Sequence, residues 1–222
     1  MFGRVILVNP NSSRRISMQV DEAVSTLAED LGVEVEIATS EDGPAAIESD
    51  DDVAAAVEPM IETAARHPAD AYVIACFSDP GIGEMRATLE APVFGIAESA
   101  VLAAMSRGRN VGVISAVDEA VPRHYRYWDR IGVTSRVVGD VPTGRGVLNL
   151  EGEEAYEDVL DAGRQLAEAG ADVVVLGCTG MTHLRARLQT DLDLPVIEPC
   201  QAALTFAASA LRDSHADEEC AQ

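Results

Sequence analysis

Asp70-Ala-Tyr-Val-Ile-Ala-Cys76 and Asp172-Val-Val-Val-Leu-Gly-Cys178 repeat one pattern 102 residues apart: an acid, a continuous apolar run and a terminal cysteine. Runs of this kind read as β-strands, and here each is followed by a glycine-bearing turn and a helix that carries arginine (Arg86, Arg185). Both halves then reach a second short strand that opens on Pro-Val (Pro92, Pro195). The half-starts also match, because Arg4-Val-Ile-Leu-Val-Asn9 resembles Asn110-Val-Gly-Val-Ile-Ser115.

Working outward, the chain alternates Val/Ile-rich runs with Ala-rich, charge-bearing segments, the rhythm of βα units and a mainly parallel sheet. Strands are expected at 5–8, 33–37, 71–75, 93–96, 111–114, 135–138, 173–176 and 196–197. Helices are expected over 14–31, 51–66, 82–89, 98–107, 118–131, 153–169, 182–190 and 201–212. A repeat of about 100 residues is too long for a solenoid unit and predicts two related α/β lobes, residues 1–98 and 99–199. Ligands of open α/β sheets bind beyond the carboxyl ends of the strands. Two lobes facing each other would therefore set Cys76 and Cys178 on opposite walls of one cleft, flanked by Asn9 and Ser115.

The 222 residues carry a formal charge of −22, and all 16 basic residues are arginine. Such a surface repels nucleic acid and anionic membranes, so neither is expected as a partner. Hydrophobic content is 47% with 4% aromatic residues, which predicts a core of Ala, Val, Leu and Ile. Arg4 interrupts the apolar run a signal peptide needs, and no stretch approaches the length of a membrane span; a cytoplasmic location is expected. The four cysteines form no C-x-x-C pair and the four histidines have no metal-ligand spacing, so neither disulfide nor metal is expected. With no lysine to form a Schiff base, ordinary pyridoxal-phosphate chemistry is excluded, and no cofactor is expected.

One thiolate facing one thiol across a flat substrate can take a proton from one face and return one to the other. The outcome is inversion at a carbon acidified by a carbonyl, with backbone amides at the strand-to-helix turns holding the enolate oxygen. Helix N-termini are expected to lower the thiol pKa values. Asp79 and Thr182 read as N-caps of the helices that follow the cysteines, with Pro80 in the first turn. Cys200, on an Ala-rich helix, reads as a packed hydrophobe, and Cys220 lies in an acidic tail.

The stretches Val8-Asn-Pro-Asn-Ser-Ser13, Gly43-Pro-Ala-Ala-Ile-Glu48, Ala75-Cys-Phe-Ser-Asp-Pro-Gly81, Pro92-Val-Phe-Gly-Ile-Ala-Glu98 and Gly177-Cys-Thr-Gly-Met181 carry a family resemblance. Together they resemble the aspartate/glutamate/hydantoin racemase superfamily, above all its hydantoin and allantoin racemase branch. The resemblance implies two pseudo-symmetric, Rossmann-like (flavodoxin-like) lobes with mainly parallel sheets and Cys76 and Cys178 as the two bases. It implies a pocket lined by Asn9, Pro44, Phe77, Ser78, Ser115, Thr179 and Gly180, and a C-terminal helix (200–213) returning to the first lobe ahead of an acidic tail (214–222). Ser78 stands where glycine is common and Thr179 where alanine is common. The segment Pro122-Arg-His-Tyr-Arg-Tyr-Trp128 reads as a helix with an aromatic packing face and solvated arginines, a substrate role for Arg123 or His124 being the alternative.

The expected activity is cofactor-independent racemisation of a small cyclic ureide, a 5-substituted hydantoin or allantoin, by a homo-oligomer. A malonate-type decarboxylase or cis–trans isomerase of the same fold is an alternative, although a decarboxylase needs one cysteine. A cysteine hydrolase would want Gly-x-Cys-x-Gly, and Leu176 occupies the first glycine position. A catalytically silent small-molecule-binding protein is the reading from another class.

Overall fold

A computed structural model describes residues 3–220, with side chains described as far as Asp213. Eight strands, β1 (Arg4–Asn9), β2 (Glu34–Thr39), β3 (Ala71–Ile74), β4 (Val93–Gly95), β5 (Val111–Ser115), β6 (Val137–Pro142), β7 (Val173–Leu176) and β8 (Val196–Ile197), form two four-stranded sheets. Their orders are β2-β1-β3-β4 and β6-β5-β7-β8, and every pairing is parallel. The second sheet thus repeats the connectivity of the first, as the duplicated phrase predicts.

Sheet position explains the sequence patterns. The central strands β3 (AYVI) and β7 (VVVL) are buried along their whole length, because helices cover both faces of a parallel sheet. The edge strand β2 (EVEIAT) alternates charged and apolar residues and is mostly half-buried. In the first sheet Val5, Leu7, Ala71 and Val73 join a core that continues through β5 and β7 of the second sheet. Their neighbours Ile6, Val8, Tyr72 and Ile74 face the other way, into a smaller cluster with Met60 and Met85. That division is the period-2 alternation of a strand.

The helices are α1 (Arg14–Leu31), α2 (Asp50–Arg66), α3 (Ile82–Thr88), α4 (Ile96–Met105), α5 (Ala120–Ile131), α6 (Glu153–Glu168), α7 (Arg185–Leu192) and α8 (Pro199–Cys220). Local signals set several ends. Ser13 caps α1 by accepting from the Ile16 N–H, and Gly32 ends it in the left-handed region at φ 70°. Ser49 and Asp52 form a reciprocal capping box on α2. Helix α8 packs on α1, β1, β3 and β4 and also on α4, most of which belongs to the second half of the chain. Of the acidic tail expected over 214–222, only the helical backbone to Cys220 is described; the remainder lies outside the described residues. Among the described residues, no helix is long and apolar enough to cross a membrane.

Three local expectations are corrected. The sixth strand runs over Val137–Pro142 rather than 135–138, because Thr134–Arg136 form a 3-10 turn that fills its expected start. The helix expected at 182–190 is a 3-10 segment, Thr179–Leu184, followed by α7. Thr182 caps no helix, and its hydroxyl instead meets the Gln19 carbonyl at 3.5 Å. Asp79 does act as a cap, but of a different helix.

Candidate active site

Cys76 and Cys178 follow the central strands β3 and β7 and line one cavity of about 30 Å3. Each meets the same local arrangement two residues downstream. The Gly180 N–H donates to the Cys178 sulfur at 3.4 Å, and the Ser78 N–H and hydroxyl reach the Cys76 sulfur. These donors favour thiolate, yet burial is the larger effect on both sulfurs. Cys76 is pushed up to about 11 by burial, a rise that the Ser78 donors and the Arg123 charge limit and the Asp79 carboxyl reinforces. Cys178 is pushed up to about 12 by burial, with the nearby Cys76 and Glu48 adding to the rise. The expected lowering at helix N-termini is therefore overturned: desolvation of a sulfur outweighs one or two amide dipoles.

Phe77, Ser78 and Thr179 share the cavity wall with the cysteines. Asn9 does not reach it. Its amide is consumed in the loop after β1, donating to Asn11 Oδ1 (3.1 Å), the Ser13 carbonyl (3.2 Å) and Ser17 Oγ (3.0 Å) and accepting from the Asn11 N–H. Asn11, presented by that loop, lines the cavity instead. Pro44 also stands back from the wall; its carbonyl accepts from the Ser12 N–H at 2.9 Å, a bond that leaves Ile47 on the wall. Gly180 acts through its N–H alone. Ser115 is wholly buried behind the cavity, where its hydroxyl donates to Asp140 on β6.

The helix α5 supplies two wall residues from a segment expected to carry solvated arginines. Arg123 is only 8% exposed and spans the cleft. Its Nε donates to Ser78 Oγ (3.0 Å), and its terminal nitrogens donate to Asp50 Oδ1 (2.9 Å) and the Glu48 carbonyl (3.4 Å). Glu48 adds a second crossing, accepting from the Val147 N–H at 2.7 Å. Ser78 and Arg123 also border a neighbouring groove of about 930 Å3, so these two side chains form the partition between groove and cavity. His124 sits beside Arg123 with its ring edge-on to Phe77. Sequence reasoning assigned no site role to Asn11, Glu48, Asp50 or Asp140, although the stretches Val8–Ser13 and Gly43–Glu48 that carry the resemblance contain the first two.

Two buried carboxyls brace the site from below. Asp79, at φ 42°, accepts from the Ala97 N–H (3.0 Å) and the Glu98 N–H (2.9 Å) and so caps α4 rather than α3. Gly95 makes this possible, because a Cβ there would stand 2.2 Å from Asp79 Oδ2. In the second lobe the position matching Gly95 is Glu198, whose own carboxylate accepts from the Cys200 N–H (3.1 Å) and the Gln201 N–H (2.7 Å) at the start of α8. The two lobes thus cap equivalent helices from different points of the chain. Burial pushes both acids up to about 7, although each accepts two backbone N–H groups. Cys200 itself is wholly buried in the core. Among the described residues, no three His, Cys, Asp or Glu side chains are grouped to hold a metal ion.

A family model described as Asp/Glu/Hydantoin racemase matches residues 5–207. Hydantoin racemase from Paenarthrobacter aurescens is 32% identical over 213 residues, covering 93% of this chain and 90% of the relative. Hydantoin racemase from Rhizobium meliloti is 33% identical over 225 residues, with coverage of 95% and 89%. Allantoin racemase from Klebsiella pneumoniae superposes with a TM-score of 0.89 at 27% identity, covering 95% of this chain and 88% of that one. A glutamate racemase from Francisella tularensis, at 16% identity and a TM-score of 0.72, shares the fold. The chain belongs to the Asp/Glu/hydantoin racemase family and is an isomerase of the racemase class.

Proposed function

We propose that the protein racemises a small cyclic ureide, a 5-substituted hydantoin or allantoin, with Cys76 and Cys178 as the two bases. The observation that carries this reading is that the two sulfurs leave equivalent strand ends of two matching sheets and both line one cavity. The thiolate of one cysteine removes the proton from the carbon beside the ring carbonyl and becomes a thiol. The resulting enolate takes a proton from the thiol of the other cysteine on the opposite face, leaving that sulfur as thiolate. Two exchangeable protons and one negative charge are conserved throughout, and proton exchange with solvent resets the pair.

The raised thiols fit a site in which entry of a substrate and its carbonyl dipoles, rather than the empty pocket, sets the charge on sulfur. A cavity of about 30 Å3 holds roughly one water. A five-membered ring needs more room than this, and Arg123 and Ser78 are the side chains that separate the cavity from the larger groove. Names of the relatives support hydantoin and allantoin as the substrates to try first. The hydrolase reading loses support because His183, the histidine that follows Cys178 most closely in sequence and so the candidate base, is exposed, and Leu176 fills the elbow's first glycine position.

The test is racemisation of single enantiomers of 5-methylhydantoin and allantoin, followed by circular dichroism, with solvent deuterium uptake at the ring carbon. Wild-type protein is expected to racemise at least one, and Cys76→Ser and Cys178→Ser each to lose at least about a thousandfold. Full activity in either variant would remove that cysteine from the mechanism.

A further inference from the structure

The imidazole of His124 is built into the cavity wall with unusual care for a residue without an assigned task. It is 3% exposed, and among the described residues all of its hydrogen bonds run through Nδ1: to Asp140 Oδ2 at 2.8 Å and to Ser115 Oγ at 3.2 Å. The Asp140 carboxylate is itself fully buried, and its second oxygen accepts from the Ser115 hydroxyl. Phe77 meets the imidazole edge-on at 5.1 Å, and Trp128 packs on it at 5.6 Å. Both ring position and tautomer are therefore held from behind. A carboxylate accepts only, so the pairing with Asp140 favours the tautomer with the proton on Nδ1, and in that tautomer Nε2 carries a lone pair with no partner among the described residues.

The wall around it is rich in donors. Arg123 can only donate, and the Gly180 and Ser78 amides point at the sulfurs. Two nearby acceptors are already engaged: Asn11 Oδ1 by Asn9 Nδ2 and the Ser13 N–H, and Ser78 Oγ by Arg123. A ligand that offers only carbonyl oxygens would leave Nε2 buried and unpaired. A cyclic ureide offers both carbonyls and ring N–H groups.

We propose that His124, fixed by Asp140 and Ser115, is the specificity-determining residue that accepts a hydrogen bond from a ring N–H of the substrate. This rests on the ureide reading above and deepens it, since it assigns to one side chain the discrimination between ureides and acids or esters of similar shape. The recognition is directional: one ring nitrogen must carry hydrogen, and the other is free of this demand.

The experiment uses the intact wild-type protein with 5-methylhydantoin and its 1-methyl and 3-methyl derivatives, together with Asp140→Asn. An asparagine amide would donate to Nδ1, move the ring proton to Nε2 and turn the acceptor into a donor. In wild type, methylation of one ring nitrogen is expected to lower kcat/KM by at least about a thousandfold and methylation of the other by less than about tenfold. Asp140→Asn is expected to lower kcat/KM for the parent hydantoin by about a hundredfold while retaining cooperative unfolding. Nitrogen-15 shifts of His124 should show Nε2 unprotonated in wild type and protonated in the variant. Comparable turnover of all three hydantoins by wild type, or a protonated Nε2 in wild type, overturns the inference and leaves the racemase reading intact. No turnover of the parent hydantoin or of allantoin overturns the ureide reading, and this inference with it.

Discussion

Replacing Asp79 with Asn removes a buried titrating carboxyl while keeping a side chain that tolerates the left-handed backbone at this position (φ 42°). In the folded protein the carboxyl is raised from 3.8 to about 7, chiefly by burial. The folded state therefore holds a proton that the unfolded chain has already released. Stability from this group is fully present below about pH 4 and is lost as pH rises through about 7. At 1.36 kcal/mol per pKa unit, the loss between about pH 5 and about pH 8 amounts to about 2–3 kcal/mol. Asn does not titrate, but its NH2 faces one of the two N–H groups that Asp79 caps, at a cost of about 1–3 kcal/mol at any pH. The variant should thus be less stable than wild type at about pH 5, and the gap should shrink by about 2–3 kcal/mol at about pH 8. Glu198 titrates in the same range, but it is present in both proteins and cancels in this double difference. Urea unfolding followed by the fluorescence of Trp128, the single and fully buried tryptophan, measures all four stabilities. A penalty that is equal at both pH values within about 0.5 kcal/mol would refute the reasoning, because Asp79 would then be ionised throughout.

Other consequences follow from the same geometry. Alkylation of Cys76 by iodoacetamide, read by mass spectrometry, should accelerate about tenfold per pH unit up to about 11, since burial holds the sulfur as thiol; a rate that levels off below about pH 9 contradicts this. Arg123→Met removes the bonds to Ser78, Asp50 and Glu48 and opens the partition. It should cost about 1–3 kcal/mol, or a fall of about 3–9 °C in Tm, and speed alkylation of both cavity cysteines; unchanged alkylation would remove Arg123 from the gate. Gly177→Ala sets a Cβ 2.5 Å from the Ile114 carbonyl oxygen and 3.1 Å from Val113 Cγ1, forcing β5 and β7 apart beside Cys178. A loss of about 3 kcal/mol in urea unfolding is expected, and a neutral result would show that the strands yield freely.

The candidate site was legible where a residue's task follows from its own strand or turn. Cys76, Phe77 and Ser78, with Cys178 and Thr179, are strand-end residues, and a repeated apolar run locates strand ends from sequence alone. Asn9 and Pro44 mark their loops equally well, but hydrogen bonds inside those loops turn Asn11 and Ile47 to the cavity instead. Asp79 shows the same limit. An acid just before a helix reads as that helix's cap, whereas Gly95, lacking a side chain, admits it to the next helix.

The sequence by itself determined the two lobes, the parallel sheets and the doubled cysteine, because hydrophobic periodicity and a repeat at 102 residues are local or self-referential signals. Only the tertiary structure decided what surrounds the sulfurs. Arg123 meets Glu48 and Asp50 across more than 70 residues of chain, and Glu48 meets Val147 across 99. Asp140 stands beside β5, within reach of His124, because β6 runs on to Pro142, past the end its apolar pattern suggests. The thiol pKa values, expected low and found high, belong to the same class: the helix N-terminus is written along the chain, but desolvation is a property of everything packed around it.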